Sequence, residues 1–202
     1  GVIDAEGDGR IMGAFGLPSN EVEGGSGNAF PSWGIANEKR RAHVGRVVAL
    51  LNNWSSAMHL RADEVSAWRD AGWWHDALRD ADERTLRAMT GELHAPVGML
   101  HGPAAALRLE AHGEHRLDVL EAVRWHTVGK ASWTRTGRAL YMADFLEPGR
   151  NFMQADRAFL SKLVPTSFDD VFRNIVRMRL EWALREGKGF AKETVALWDT
   201  VR

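Results

Sequence analysis

Six residues of this chain carry side chains that hold divalent metals, and their order is suggestive. His75 and Asp76 are adjacent, within Gly72-Trp73-Trp74-His75-Asp76-Ala77-Leu78-Arg79-Asp80. His43 stands upstream of the pair, and His101, His126 and Asp144 follow it. Imidazole and carboxylate are ligands for hard-to-borderline divalent ions. Spread at separations of about one helix and turn, the six can converge inside a helical bundle. Two ions about 3.5–4 Å apart suit phosphate-ester chemistry, because they hold the attacking and leaving oxygens together. Cations fit for phosphate oxygens lie near these ligands in sequence: Arg79, Lys130, Arg135, Arg138 and Arg150. Thr127 and the backbone at Gly129 could also meet phosphate. Any one of these cations, taken singly, is more often a solvated surface residue.

The adjacency of His75 and Asp76 is itself a constraint. Neighbours on a helix point about 100° apart. They can serve one site only if the end of the helix lies against it, or if they bracket it from one side. Asp144 lies in Leu140-Tyr141-Met142-Ala143-Asp144-Phe145-Leu146, apolar on both sides. A carboxylate desolvated there is costly unless it meets a cation, either a metal or one of the many arginines. The other histidines, His59, His94, His112 and His115, read as ordinary surface or satisfied core residues.

The elements that must position these residues read as helices throughout, and no alternating strand pattern stands out. From about Asn37, Val44, Val47, Val48, Leu51 and Trp54 form one helical stripe. Asp63 reads as the N-cap of a second helix running through Trp68 and Gly72 to His75. Pro103 suits the first turn of a helix that starts just after His101. Further helices are expected over 118–127, 136–147 (ended by Pro148-Gly149), 168–186 (ended by Gly187) and about 189–201. The expected fold class is all-α, a helical bundle with a glycine-rich N-terminal extension over residues 1–35 and one domain over 36–202. The first 34 residues hold nine of the chain's 20 glycines and no clear apolar period, which reads as a loop-rich arm.

Composition narrows the function classes. Twenty-six basic and 27 acidic residues give a net charge of −1, which offers no support for a general nucleic-acid or membrane surface. With no cysteine there is no disulfide framework, zinc–thiolate site or thiol nucleophile, which fits a cytoplasmic protein. No apolar run approaches the roughly 18 residues needed to span a bilayer. The start of the chain lacks a signal-peptide pattern. Nine tryptophans are many for 202 residues and read chiefly as large rings for the core.

The order His43, His75-Asp76, Asp144 resembles that of the HD superfamily of metal-dependent phosphohydrolases. Flanking text narrows the resemblance: Leu100-His101-Gly102-Pro103-Ala104-Ala105-Ala106, Val123-Arg124-Trp125-His126-Thr127-Val128-Gly129-Lys130, and Met142-Ala143-Asp144-Phe145-Leu146-Glu147-Pro148-Gly149-Arg150. These are similar to the YqeK family, bacterial HD proteins that split diadenosine tetraphosphate symmetrically into two ADP. The resemblance covers about residues 40–160. The last forty residues match only in helical character, and the first 35 not at all.

The resemblance implies His43, His75, Asp76 and Asp144 as core metal ligands, with His101 and His126 completing a dinuclear site. It implies iron as the first expectation, with manganese, cobalt or nickel as alternatives. It places Asp80 as an orienting or acid–base group and Arg79 beside it, where the family usually has lysine. Thr127, Gly129, Lys130 and Arg150 are the implied phosphate contacts. The partner implied is a dinucleoside polyphosphate, and a homodimer is one candidate assembly. Val128, Trp125 and Trp73-Trp74 depart from the family's usual threonine, tyrosine and smaller apolar residues. Those departures bear on substrate preference rather than on the metal site. Two other readings compete: an HD phosphohydrolase for a nucleoside mono- or triphosphate or a signalling nucleotide, and a non-catalytic metal-binding regulatory module.

Overall fold

In the computed structural model the residues described are 37–202; the expected N-terminal extension lies outside them. The described residues form nine α-helices and one 3-10 turn. In chain order these are α1 (Glu38–Ala57), α2 (Ala62–Trp74), α3 (Glu83–Thr90), the turn Val97–Met99, α4 (His101–Ala111), α5 (Leu117–Trp125), α6 (Arg135–Leu146), α7 (Gln154–Leu163), α8 (Phe168–Arg185) and α9 (Lys192–Val201). Among the described residues no strand occurs. No helix among them is long and apolar enough to cross a membrane.

Capping chemistry sets several of the starts. The side chain of Asn37 accepts from the Lys39 N–H at the head of α1. Asp82 accepts from the Thr85 N–H at the head of α3, and Thr134 from the Gly137 N–H at the head of α6. Asp63 differs from its expected role. Helix α2 begins one residue earlier, behind an extended Arg61, and Asp63 sits in the first turn with its carboxylate held by the Arg61 guanidinium. An acid in that turn still suits the positive end of the helix dipole. Two short helices, α3 and α7, lie in stretches where no helix was expected.

Helices α1 and α2 form a tight antiparallel pair, and α4, α5 and α6 follow as neighbours, with α5 and α6 also packed on α2. The core joins Val47, Leu51 and Trp54 of α1 to Trp68, Ala71 and Trp74 of α2, and to Leu109, Val123, Leu140 and Met142. Each such aliphatic side chain removed from water contributes about 1.5–3 kcal/mol. Two glycines permit the approaches that matter here. A Cβ on Gly72 would lie 2.8 Å from Leu51 Cδ1 and 3.1 Å from Val48 Cγ2, so any larger residue there would have to push those side chains of α1 aside. A Cβ on Gly102 would lie 2.8 Å from the Val123 carbonyl oxygen and 2.9 Å from that of Arg124, so glycine lets the head of α4 rest on the foot of α5.

The apolar stripe expected along α8 divides in two. Val171, Phe172, Ile175 and Val176 are buried in the core, whereas Trp182 is 50% exposed. Helix α9 does pack back on the bundle, with Leu197 buried against Gly129 and near Tyr141.

Candidate metal centre

Every one of the six expected ligands is buried, and the ends of helices bring them together. Helix α1 supplies His43 from its inward face, beside Val44 and Val47. Helix α2 ends at Trp74, so His75 is its C-cap and Asp76 begins the turn beyond it. The end of the helix therefore lies against the cluster, one of the two arrangements open to an adjacent pair. His101 is the first residue of α4. His126 is the C-cap of α5, and Asp144 lies in the last turn of α6.

His75 and His126 are oriented by the same device. Nδ1 of each lies 2.8 Å from the carbonyl oxygen three residues back, Gly72 for His75 and Val123 for His126. The Nδ1–H donates to that carbonyl, so Nε2 is a bare lone pair directed at the cluster. Around one end of Asp76, His43 Nε2 lies 3.4 Å from His75 Nε2, 3.7 Å from Asp76 Oδ2 and 3.3 Å from Asp144 Oδ1. Around the other, Asp76 Oδ1 lies 3.2 Å from His101 Nε2 and 3.6 Å from His126 Nε2, and those two nitrogens are 3.0 Å apart. Asp76 thus turns one oxygen to each group.

The donor set fits metal ions. Ligand bonds of about 2.0–2.2 Å set neighbouring ligand atoms roughly 3 Å apart at right angles and about 3.4 Å apart in a tetrahedron. The observed separations span that range and slightly beyond. Asp76 and Asp144 are held well below the usual carboxylate range; burial opposes this, but the surrounding imidazoles and, at Asp144, the Arg150 and Arg179 charges outweigh it. Burial also opposes charge on His43, yet hydrogen bonding to Asp144 and Glu147 raises its pKa to about 9. Burial and the neighbouring imidazoles hold His75 down to about 4. His101 is lowered too, by burial first. The cluster calls for positive charge, and a proton on His43 is the form it takes when no ion is bound.

Sequence reasoning missed several residues of this site. Glu147, just past α6, is 2% exposed and lies 3.2 Å from His43 Nδ1, on the side away from the cluster. It also pairs with Arg46 and accepts from the Gly149 N–H. Burial pushes its carboxyl up, but those partners bring it down to about 2. Its position three residues after Asp144 was the available signal. Arg40 donates to Asp76 Oδ2 at 2.8 Å and was legible as the residue one helical turn before His43. Arg179 of α8, 4.0 Å from Asp144 Oδ2, had no signal near the ligand motifs.

A cavity of about 730 Å³ opens over the cluster, with Asp76, His101, His126 and Asp144 in its lining. Arg79, Thr127 and Arg150 line it, as do Arg40 and Arg179. Arg79 Nη1 lies 3.4 Å from His101 Nδ1, and Thr127 Oγ1 lies 3.3 Å from His126 Nε2. Arg150 donates to both the side chain and the carbonyl oxygen of Asp144.

The remaining expected residues sit elsewhere. Asp80 does not line the cavity and reaches the cluster only through Arg40, whose Nη2 is 3.6 Å away. Gly129 donates its N–H to the Trp125 carbonyl at 2.7 Å and, at φ +82°, packs against Leu197. Lys130 is paired with Glu121. The chain turns after α5, so Thr127 faces the cavity while Gly129 and Lys130 turn away. Arg135 and Arg138 are engaged by Glu64 and Asp169.

No family model matches the chain. Three curated relatives do, all named "Bis(5'-nucleosyl)-tetraphosphatase, symmetrical". The Staphylococcus aureus protein is 37% identical over 59 residues, 29% of this chain and 30% of that protein. The Bacillus subtilis protein is 29% identical over 101 residues, 50% of each chain. The Halalkalibacterium halodurans protein is 30% identical over 90 residues, 41% of this chain and 48% of that one. The chain thus spans half or less of the length of the curated relatives it matches. Among solved structures, a predicted HD superfamily hydrolase involved in NAD metabolism from Clostridium acetobutylicum superposes with a TM-score of 0.71 at 22% identity, covering 82% of this chain and 90% of that one. This chain therefore shares the fold of that Clostridium protein, and part of its sequence is similar to the three symmetrical bis(5'-nucleosyl)-tetraphosphatases.

Proposed function

We propose that this chain is a metal-dependent hydrolase that cleaves a dinucleoside tetraphosphate symmetrically, diadenosine tetraphosphate giving two ADP. The observation that carries the reading is Asp76, whose two oxygens face two separate histidine groups at the base of an arginine-lined cavity. His43, His75 and Asp76 would hold one ion, with Asp144 beside them at 3.3 Å from His43 Nε2 as a fourth ligand, and Asp76, His101 and His126 a second, with iron first among the candidates and manganese, cobalt or nickel as substitutes. Ions bound there supply Lewis acidity toward phosphoryl oxygens and make water acidic enough to react near neutral pH.

The chain's own residues do the rest. Arg150 and Arg179, which flank Asp144, meet charge growing on the phosphoryl oxygens. Arg79 and the Thr127 hydroxyl hold the substrate on the His101–His126 side. Asp80 steadies Arg40, and through it Asp76, rather than touching substrate. The same reading takes residues 36–202 as the hydrolase domain, and it includes a cytoplasmic location and a homodimeric assembly.

The test is product analysis. The purified chain loaded with manganese or iron should convert diadenosine tetraphosphate to ADP alone. ATP plus AMP would refute symmetrical cleavage, and turnover of some other nucleotide in preference would refute the substrate. Asp76→Ala should abolish turnover while leaving the helical circular dichroism in place.

A further inference from the structure

The cavity is more than a phosphate site. Two segments of its lining each join an arginine close to Asp144 with an aromatic ring. In one, Arg150 pairs with Asp144, and Phe152 and Met153 follow it along the chain. In the other, Arg179 approaches Asp144, and Trp182 follows three residues on along α8. Three residues of helix advance about 4.5 Å along its axis, so Trp182 stands nearly one turn along α8 from Arg179. Met178, Trp182 and Arg185 share the α8 face that lines the cavity.

These rings are held in place and yet open to solvent. Phe152 is 45% exposed, but it packs edge-on against Phe145 at 5.6 Å, and the Arg157 guanidinium sits 4.8 Å over its ring. Trp182 is half exposed, with Lys188 Nζ 3.9 Å from its ring centroid. Arg179, whose guanidinium lies 4.1 Å over the Tyr141 ring, has a buried Nη1 with no hydrogen-bond partner among the described residues. A buried donor without an acceptor is costly unless a ligand supplies one.

We propose that Trp182 and Phe152 form a stacking platform for the base of a nucleoside diphosphate unit whose phosphates lie on Arg179, Arg150 and the cluster. The order of chemistry fits that occupant: its phosphates meet Arg150 and Arg179, and its flat base meets the Trp182 and Phe152 rings, beside which Glu181, Arg185 and Glu186 also line the cavity. A flat ring system gains from stacking on fixed aromatics with little sequence preference, and purines, with the larger face, gain more than pyrimidines. This subsite deepens the hydrolase reading and rests on it for the placement of the phosphates.

The test uses binding of ADP, UDP and inorganic pyrophosphate to the full manganese-loaded chain, measured by calorimetry for wild type, Trp182→Ala and Trp182→Phe. Wild type should bind ADP more tightly than UDP and both more tightly than pyrophosphate. Trp182→Ala should weaken ADP about tenfold, reduce the preference over UDP and leave pyrophosphate unchanged. Trp182→Phe should recover most of the loss. Equal weakening of ADP and pyrophosphate, no weakening of ADP, or a wild type that binds ADP no better than pyrophosphate would each overturn the platform. The two readings fail separately. Failure to cleave diadenosine tetraphosphate with the binding pattern intact sinks the hydrolase and leaves the platform. Cleavage to ADP with no effect of Trp182 on binding does the reverse.

Discussion

His43 Nδ1 lies 3.2 Å from Glu147 Oε1, while the same ring's Nε2 faces Asp144 at 3.3 Å. One imidazole is thus held between the helix that supplies Asp144 and the turn just beyond it. A carboxylate on the far nitrogen fixes a ligating histidine's tautomer and raises its basicity, and losing such a partner costs about 10–100-fold in metal affinity. Glu147→Ala should therefore weaken metal binding on the His43 side by about that factor, read by competition with a chelating dye. Glu147→Gln, which keeps an acceptor but not the charge, should fall in between. Unchanged affinity in both variants would remove Glu147 from the site.

The same pair predicts a pH dependence. With its pKa raised to about 9 in the absence of metal, His43 carries a proton at neutral pH, and an ion binding through Nε2 must displace it. Apparent metal affinity should rise with pH up to about 9 and then level off. Calorimetry at pH 7.5 in buffers of different ionisation enthalpy should show about one proton released per ion at this position. In the metal-free protein the sign for stability is opposite. The contribution from charged His43 is full below its unfolded pKa near 6.5 and is lost as pH rises through about 9. The contribution from Glu147, lowered to about 2, is present above 4.5 and lost as pH falls toward 2.

Bridging by Asp76 predicts how metal content responds to mutation. Wild type should hold two ions per chain by elemental analysis. His126→Ala should hold one, because it removes a ligand only from the Oδ1 side. Asp76→Ala should lose both. A wild type with one ion, or a His126→Ala protein with two, would show that the two histidine groups do not act as separate sites.

Gly102 sets the spacing between those groups. A Cβ there would collide with the Val123 and Arg124 carbonyl oxygens at 2.8 and 2.9 Å and press on His126 Cε1 at 3.2 Å. Backbone atoms cannot swing aside as side chains do, so Gly102→Ala should cost about 1–3 kcal/mol, the range for overpacked cores. Melting should fall by several degrees, roughly 2–12 °C for a domain of this size. By parting α4 from α5, the substitution should also weaken the His101–His126 ion selectively.

The buried cluster was readable because its residue types are uncommon in apolar helical text: an aspartate flanked by Tyr141, Met142 and Phe145 asks for a cation whatever the fold. The helices that carry it were readable from period and punctuation. Short helices α3 and α7 were not, since eight and ten residues leave little room for a period. The anion contacts were read least well. Gly129 and Lys130 follow Thr127 in sequence but lie beyond a turn that reverses their direction. Arg40 could have been found one helical turn before His43, but Arg179 reaches the cluster from α8, and proximity in space between distant helices leaves no mark on local spacing. Trp182 stayed hidden for a related reason: its place in the stripe of α8 fits a core residue equally well.

Arg157 tests whether the 147–152 turn is a built part of the site. It is 2% exposed, and its guanidinium donates to the carbonyl oxygens of Phe145, Glu147, Arg150 and Phe152. One cation thus satisfies three acceptors of a turn that has no helix or strand of its own and one at the end of α6. Arg157→Met keeps much of the bulk but leaves those carbonyls without their donor, at about 1–3 kcal/mol for each that water cannot reach. Some will be rehydrated, so a total near 3 kcal/mol is expected. Hydrogen exchange should accelerate across 145–153 more than in α2 or α5. Because Arg150 and Phe152 ride on this turn, ADP binding should weaken even at temperatures where the helical signal is intact. A uniform rise in exchange with ADP affinity preserved would make Arg157 a general stabiliser of the bundle and not a support of the nucleotide site.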